Sequence, residues 1–182
     1  MPLSTPTTST LSAVFGGAAY SFAVGANGTL LHYDGIEWGI VPTPTTISLT
    51  AIWGTSPADM FVVGSAGNIF HFDGYGVTKM TPVTSADLRA IWGSSPENVL
   101  AVGDNGTILR FDGKTWSRDL SGTSSRLRGV TVSRHGDAYA VGDNGTVLHR
   151  DGVAWTAMST PTTHRLSAVW ALNRENVIAV GA

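Results

Sequence analysis

Residues 88–120, LRAIWGSSPENVLAVGDNGTILRFDGKTWSRDL, break into four short stretches rich in apolar residues, divided by turn-forming clusters. The stretches are LRAIWG, ENVLAVG, TILRF and KTWSRDL. The second, at Val99–Val102, is apolar at every position, as expected of a strand covered on both faces. In the third, Leu109 points to one face of a strand and Ile108 to the other. No window shows the 3.6-residue spacing of a helix, so the pattern predicts an antiparallel meander of four strands. SSPEN has turn composition, and Asn105-Gly106 and Asp112-Gly113 are hairpin signals. The Asn-Gly pair predicts a two-residue hairpin, because both residues tolerate positive φ.

The unit repeats. Gly25, Gly64, Gly103, Gly142 and Gly181 each close an Ala/Val-Val-Gly triplet, and consecutive members lie 39 residues apart. Asp34, Asp73, Asp112 and Asp151, each followed by Gly, keep the same step. Trp38, Trp116 and Trp155 follow four residues later, with Val77 in the second unit. The units are 11–48, 49–87, 88–126 and 127–165, then a partial unit 166–182, preceded by an N-terminal arm, 1–10. A lone four-stranded sheet cannot bury both faces. Arranged radially, each sheet is covered by its two neighbours, so the expected fold is an all-β, single-domain β-propeller of about five blades, the last incomplete.

FDGKTW, HYDGIEW and HRDGVAW resemble the Asp-box of bacterial neuraminidase-type (BNR) repeats. The longer phrase LRAIWG…NVLAVGDNGTILRFDGKTW is similar to the repeats of photosystem II assembly factor-like propellers and related bacterial surface propellers. The likeness runs through nearly the whole chain. It departs in lacking one residue between Asp and Trp, and in having His32, His71, Arg110 or His149 where Ser is usual. The resemblance implies structural roles: turn hydrogen bonds for Asp34, Asp73, Asp112 and Asp151, and interblade packing for Trp38, Trp116 and Trp155.

Composition narrows the function classes. The 182 residues carry a net charge of −2 with 13% charged residues, which points away from nucleic acid as a partner. All nine Arg lie from residue 89 onward, and the chain has two Lys, Lys79 and Lys114. Without cysteine there is no disulfide or thiolate metal site, and no apolar run is long enough for membrane insertion. Residues 1–10 do not read as a signal peptide; many Thr and Ser with few Lys lean towards an exported or cell-surface protein.

Catalysis is not expected. Ten of the thirteen carboxylates occupy repeat-determined turn positions, and Glu37, Asp87 and Asp119 form no evident acid–base pair. His32, His71, Arg110 and His149 sit one per blade, too far apart for one metal ion with ligands about 2 Å away. Interblade polar contacts are expected of them, with no metal and no cofactor. The Asp104-Asn105-Gly106 and Asp143-Asn144-Gly145 turns lack the oxygen alternation of a calcium loop.

Candidate binding residues are Arg126 and Arg128, which break the repeat along with Arg134 and Arg165, the first-strand Trp53, Trp92 and Trp170, and Asn105 and Asn144. The tryptophans are expected in interblade packing first, with stacking on sugar rings as the second role. The expected function is a non-catalytic scaffold for protein–protein interaction or assembly, with another copy engaged through the edge Val177–Gly181. The alternatives are a glycan-binding lectin with repeated interblade sites and, least favoured, a sialidase-like glycosidase. The simplest expected monomer is a five-bladed ring with the N-terminal arm on the incomplete blade as a partial outer strand; the alternatives are a fragment of a larger propeller and copies that complete one another.

Overall fold

The computed structural model describes residues 5–17, 20–133 and 136–182. Each complete unit forms one four-stranded antiparallel sheet in sequential order. The first blade holds β1 (Leu11–Gly16), β2 (Ser21–Gly25), β3 (Leu30–Tyr33) and β4 (Trp38–Ile40). The second holds β5 (Leu49–Ser56), β6 (Asp59–Gly64), β7 (Ile69–Phe72) and β8 (Val77–Lys79). The third holds β9 (Leu88–Ser95), β10 (Asn98–Gly103), β11 (Ile108–Phe111) and β12 (Trp116–Asp119). The fourth holds β13 (Leu127–Val132), β14 (Ala138–Gly142), β15 (Val147–Arg150) and β16 (Trp155–Ala157). A two-stranded sheet of β17 (Leu166–Asn173) and β18 (Asn176–Gly181) is the fifth. The protein is a β-propeller.

The two-residue hairpin falls at the first connection, not at Asn-Gly. Ser56 pairs with Asp59 and Ser95 with Asn98, leaving Pro57-Ala58 and Pro96-Glu97 as the turns. At the second connection Asn27 and Gly28 adopt positive φ (57° and 67°), and the Thr29 amide donates to the Ala26 carbonyl at 3.1 Å. That is a type I′ turn. An extra residue opposes Thr29, however, because the Gly25 amide also donates to its carbonyl. The bulge frees the Ala26 amide to donate to Thr10 O at 2.9 Å. Asp104 N→Asp87 O and Asp143 N→Arg126 O repeat the bond, each at 2.9 Å.

These bonds explain both signature glycines. A Cβ on Gly103 would stand 2.1 Å from Asp87 O, and one on Gly106 1.9 Å from Thr123 O. The segments entering and leaving each blade therefore run directly against the turn backbone. Residues 5–10 form no strand, and Thr10 O serves the first blade as Asp87 O serves the third. The described part of the N-terminal arm is thus the entry segment of the first blade, not an outer strand of the last.

Blades bury each other through alternate side chains. Leu30 packs with Phe70, Ile69 with Leu109 and Ile108 with Leu148, in three successive interblade clusters. Each of those residues is at most 1% exposed. Burying such a side chain contributes about 1.5–3 kcal/mol. The Thr50 hydroxyl adds a polar tie, donating to Leu88 O in the next blade at 2.7 Å. First strands stand side by side in the order β1, β5, β9, β13, β17. Among the described residues β1 and β17 do not pack on each other as the successive first strands do, so the first and last blades are not neighbours in the manner of the rest.

Candidate functional site

The connections at one end of the blades gather charge. Arg89 grips Asp104 with two bonds, Nε→Oδ1 and Nη2→Oδ2, both 2.9 Å, and its Nη2 also donates to Asp87 Oδ2 at 3.1 Å. Arg126 Nε reaches the same Asp104 at 2.8 Å. Arg128 repeats the grip on Asp143 at 2.5 and 3.2 Å. The hydrogen bond from Arg89 holds the Asp104 carboxyl below the usual carboxylate range, and that from Arg128 does the same for Asp143. Asp104 and Asp143 open the turns that carry Asn105 and Asn144, both exposed and both at positive φ. Four of the predicted binding residues, Arg126, Arg128, Asn105 and Asn144, therefore belong to one row of turns. Arg126 ties two of them together, its side chain on Asp104 and its carbonyl on Asp143 N.

Arg89, Arg126, Arg128 and Arg165 face three carboxylates in this row, Asp87, Asp104 and Asp143. The row thus carries one excess positive charge, and Arg89, Arg126 and Arg128 are each engaged by the chain's own carboxylates. Arg134 lies outside the described residues. Sequence reading missed Arg89 and the pairing roles of Asp104 and Asp143, although a signal existed. Arg and Asp occur together at corresponding positions of the third and fourth units, and Thr50 and Ser65 replace both in the second.

The first-strand tryptophans are not equivalent. Trp53 is 5% exposed, and a Cβ on Gly93 would stand 2.5 Å from its ring. Trp92 is 37% exposed; the position of the fourth blade that corresponds to Gly93 is the bulkier Val132. Trp170 is 52% exposed on the last blade. Interblade packing, expected of all three, places Trp53 deep but leaves Trp92 and Trp170 substantially accessible.

Among the box residues, Asp112 Oδ1 accepts from the Lys114 and Thr115 amides at 3.0 and 2.8 Å. Asp34 and Asp73 bind the amides two and three residues on in the same way, and Asp151 binds Val153 N at 3.3 Å. These amides hold all four carboxyls below their ordinary value. Trp116 packs against Phe61 of the preceding blade, centroids 6.1 Å apart, and its Nε1 donates to Met80 Sδ at 3.2 Å. Trp155 Nε1 donates to Asp119 Oδ2 of the preceding blade at 3.3 Å. Trp38 packs on Tyr33 of its own blade.

His71 and His149 find partners within their own blades, not between blades. His71 Nε2 lies 2.8 Å from Asp59 Oδ1, and His149 Nε2 lies 2.9 Å from Asp137 Oδ1. Arg110 faces Asp119 of its own blade at 3.8 Å. Each carboxylate lies diagonally across the strand pair, two residues from the one opposite: His71 pairs with Phe61, His149 with Tyr139 and Arg110 with Ser117. Among the described residues no cluster of three metal-ligating side chains occurs.

Two surfaces remain open. A groove of about 580 Å³ between the second and third blades is lined by Lys79, Met80, Val83, Lys114 and Trp116, among others. At the last blade Trp170, Ile178 and Val180 are 52–59% exposed, and among the described residues no strand pairs with the outer edge of β18.

Four-stranded antiparallel blades that bury each other's faces define a β-propeller. The chain matches no protein-family model and no curated protein sequence. Among solved structures it is similar to YCF48 bound to a D1 peptide, with a TM-score of 0.68 and 21% identity over 90% of this chain and 57% of that one. It is also similar to YCF48 from Cyanidioschyzon merolae, with a TM-score of 0.69 and 18% identity over 93% and 62%. The chain thus spans less than two thirds of the length of either structure. At these identities the likeness establishes the propeller fold.

Proposed function

We propose that the protein is a non-catalytic β-propeller scaffold for protein interaction and assembly, and that it self-associates through β18. One observation carries this reading. Val62, Ile69 and Val102 are at most 1% exposed in complete blades, whereas Ile178 and Val180 are 59% and 54% exposed beside an unpaired strand edge. Such an edge presents free N–H and C=O groups to another strand, and its apolar side chains favour burial. The same surface on two copies makes a closed, isologous pair. The similar YCF48 structure holding a D1 peptide supports a protein partner for a propeller of this shape. The Asp-Gly turns are read as Asp-box-like structural elements in keeping with that role.

Sedimentation velocity over a concentration series tests the proposal. The wild type should shift to a larger species as concentration rises, and Ile178→Lys should stay monomeric with an unchanged circular dichroism spectrum. A wild type that remains monomeric at its highest soluble concentration overturns self-association.

A further inference from the structure

We propose that the groove between the second and third blades binds an extended acidic peptide segment, with one apolar side chain seated on Met80 and Trp116 and carboxylates on Lys79 and Lys114. This inference deepens the protein-interaction reading but uses a surface separate from β18.

The groove exists because one interblade contact departs from the repeat. Where the third and fourth blades meet, Asp119 is surrounded by cationic and N–H groups: Arg150 Nε at 3.4 Å, Arg110 Nε at 3.8 Å and Trp155 Nε1 at 3.3 Å. One repeat earlier the corresponding residues are Met80 for Asp119, His71 for Arg110, Phe111 for Arg150 and Trp116 for Trp155. The ionic cluster of Asp119, Arg110 and Arg150 is replaced by a thioether, an imidazole and a phenyl ring, while the indole is kept. Trp116 Nε1 meets Met80 Sδ, a weak acceptor, and the floor beside them stays apolar.

Charge at the groove is one-sided. Both lysines of the chain line it, and no carboxylate does. Among the described residues neither lysine has an ion-pair partner, whereas Arg89, Arg110, Arg126, Arg128, Arg150 and Arg174 all do. Asp59 and Glu97 line an adjoining cavity of about 390 Å³ that shares His71 and Met80 with the groove, and Asp59 engages His71 Nε2. An anionic ligand is therefore drawn to the lysine side and repelled from the other.

The groove also has the form a peptide needs. Thr78, Lys79, Met80 and Thr81 line it as consecutive residues along β8 and just beyond, and β8 is the free outer edge of its sheet. Extended peptides commonly dock on such edges, with backbone bonding for affinity and a pocket for an anchor side chain. Two cations are too few for the many phosphate contacts on which nucleic-acid affinity rests.

The test is fluorescence anisotropy with a fluorescein-labelled peptide GDEFDEG, compared with the amide version GNQFNQG and the anchorless GDEGDEG, at low salt. Wild-type protein should bind GDEFDEG in preference to both controls. The double variant Lys79→Glu/Lys114→Glu should weaken binding about tenfold or more. Arg118→Glu, which reverses a cation outside the groove that has no ion-pair partner among the described residues, should leave it within about twofold. Absence of binding, equal binding of GNQFNQG, or an equal loss in Arg118→Glu overturns the proposal. Peptide binding and sedimentation are read separately, so failure of one leaves the other standing or falling on its own data.

Discussion

Arg174 reaches back from the fifth sheet to the fourth, its Nε donating to Asp137 Oδ1 at 2.8 Å. The same oxygen meets His149 Nε2 at 2.9 Å, and Asp137 is buried. Burial works to raise the Asp137 carboxyl, but the hydrogen bonds from His149 and Arg174 outweigh it and hold the group below its ordinary value. The last blade is thereby tied to a complete one through a buried carboxylate that His149 also engages.

Removing the two partners should have unequal effects. Arg174→Ala deletes a side chain that is 63% exposed, and its cost should be at most about 1 kcal/mol. Asp137→Ala leaves His149 facing an apolar gap and should cost about 2 kcal/mol or more. Urea unfolding of both variants checks the order; equal midpoints would contradict it.

Acid should unfold the protein from the carboxylate side. Asp104, Asp137 and Asp143 all have folded values below those of the unfolded chain. A depressed value means the group stabilises the fold fully above its unfolded value of about 3.9 and loses that contribution as pH falls through the lower folded one. Stability should therefore be flat near neutrality and decline below about pH 4. The double variant Asp104→Asn/Asp143→Asn should start less stable and show a shallower acid decline, read by urea midpoints across pH.

The second-connection turn offers a test in both directions. Ala66 sits at φ 54° where other blades have Asn. An alanine there is strained, so Ala66→Asn or Ala66→Gly should stabilise by about 0.5–1 kcal/mol. Gly67→Ala should do the reverse and more severely, because its Cβ would stand 1.9 Å from Thr84 O. Thermal melting by circular dichroism distinguishes the two.

Trp53 depends on the absence of a side chain at residue 93. Gly93→Val, which installs the residue type of position 132, should displace the indole, shift tryptophan emission to the red and cost about 1–3 kcal/mol. Unchanged emission would refute this account of the unequal tryptophans.

The repeat made the fold legible. A fixed 39-residue step with apolar residues on both faces of the second strand has one economical solution, and the four blades follow it within a residue or two at most strand ends. Bonds set by a neighbour were less readable. Asn27-Gly28 signals its type I′ turn, but the bulge beside it goes with the bond from the Ala26 amide to Thr10 O, a contact between distant residues that the turn residues do not announce. Burial of Trp53 and Trp92 differs with the residue opposite on the next blade, Gly93 or Val132, and Trp170 lies on the last blade, none of which propensity reports. The arginine row was half visible: Arg126 and Arg128 stand out as departures, whereas their grip on Asp104 and Asp143 required the turns to be stacked. The lysine groove was within reach, since Met80 occupies the position of Asp119, but a single substitution in one unit acquires meaning only once Trp116 is seen against it.

Hydrogen exchange read by mass spectrometry at low and high protein concentration addresses the assembly reading most directly. Amides of β18 that point away from β17 should exchange rapidly in dilute solution and gain protection as concentration rises, while those of β10, enclosed within a complete blade, stay protected throughout. Exchange across residues 177–181 that is indifferent to concentration would contradict it.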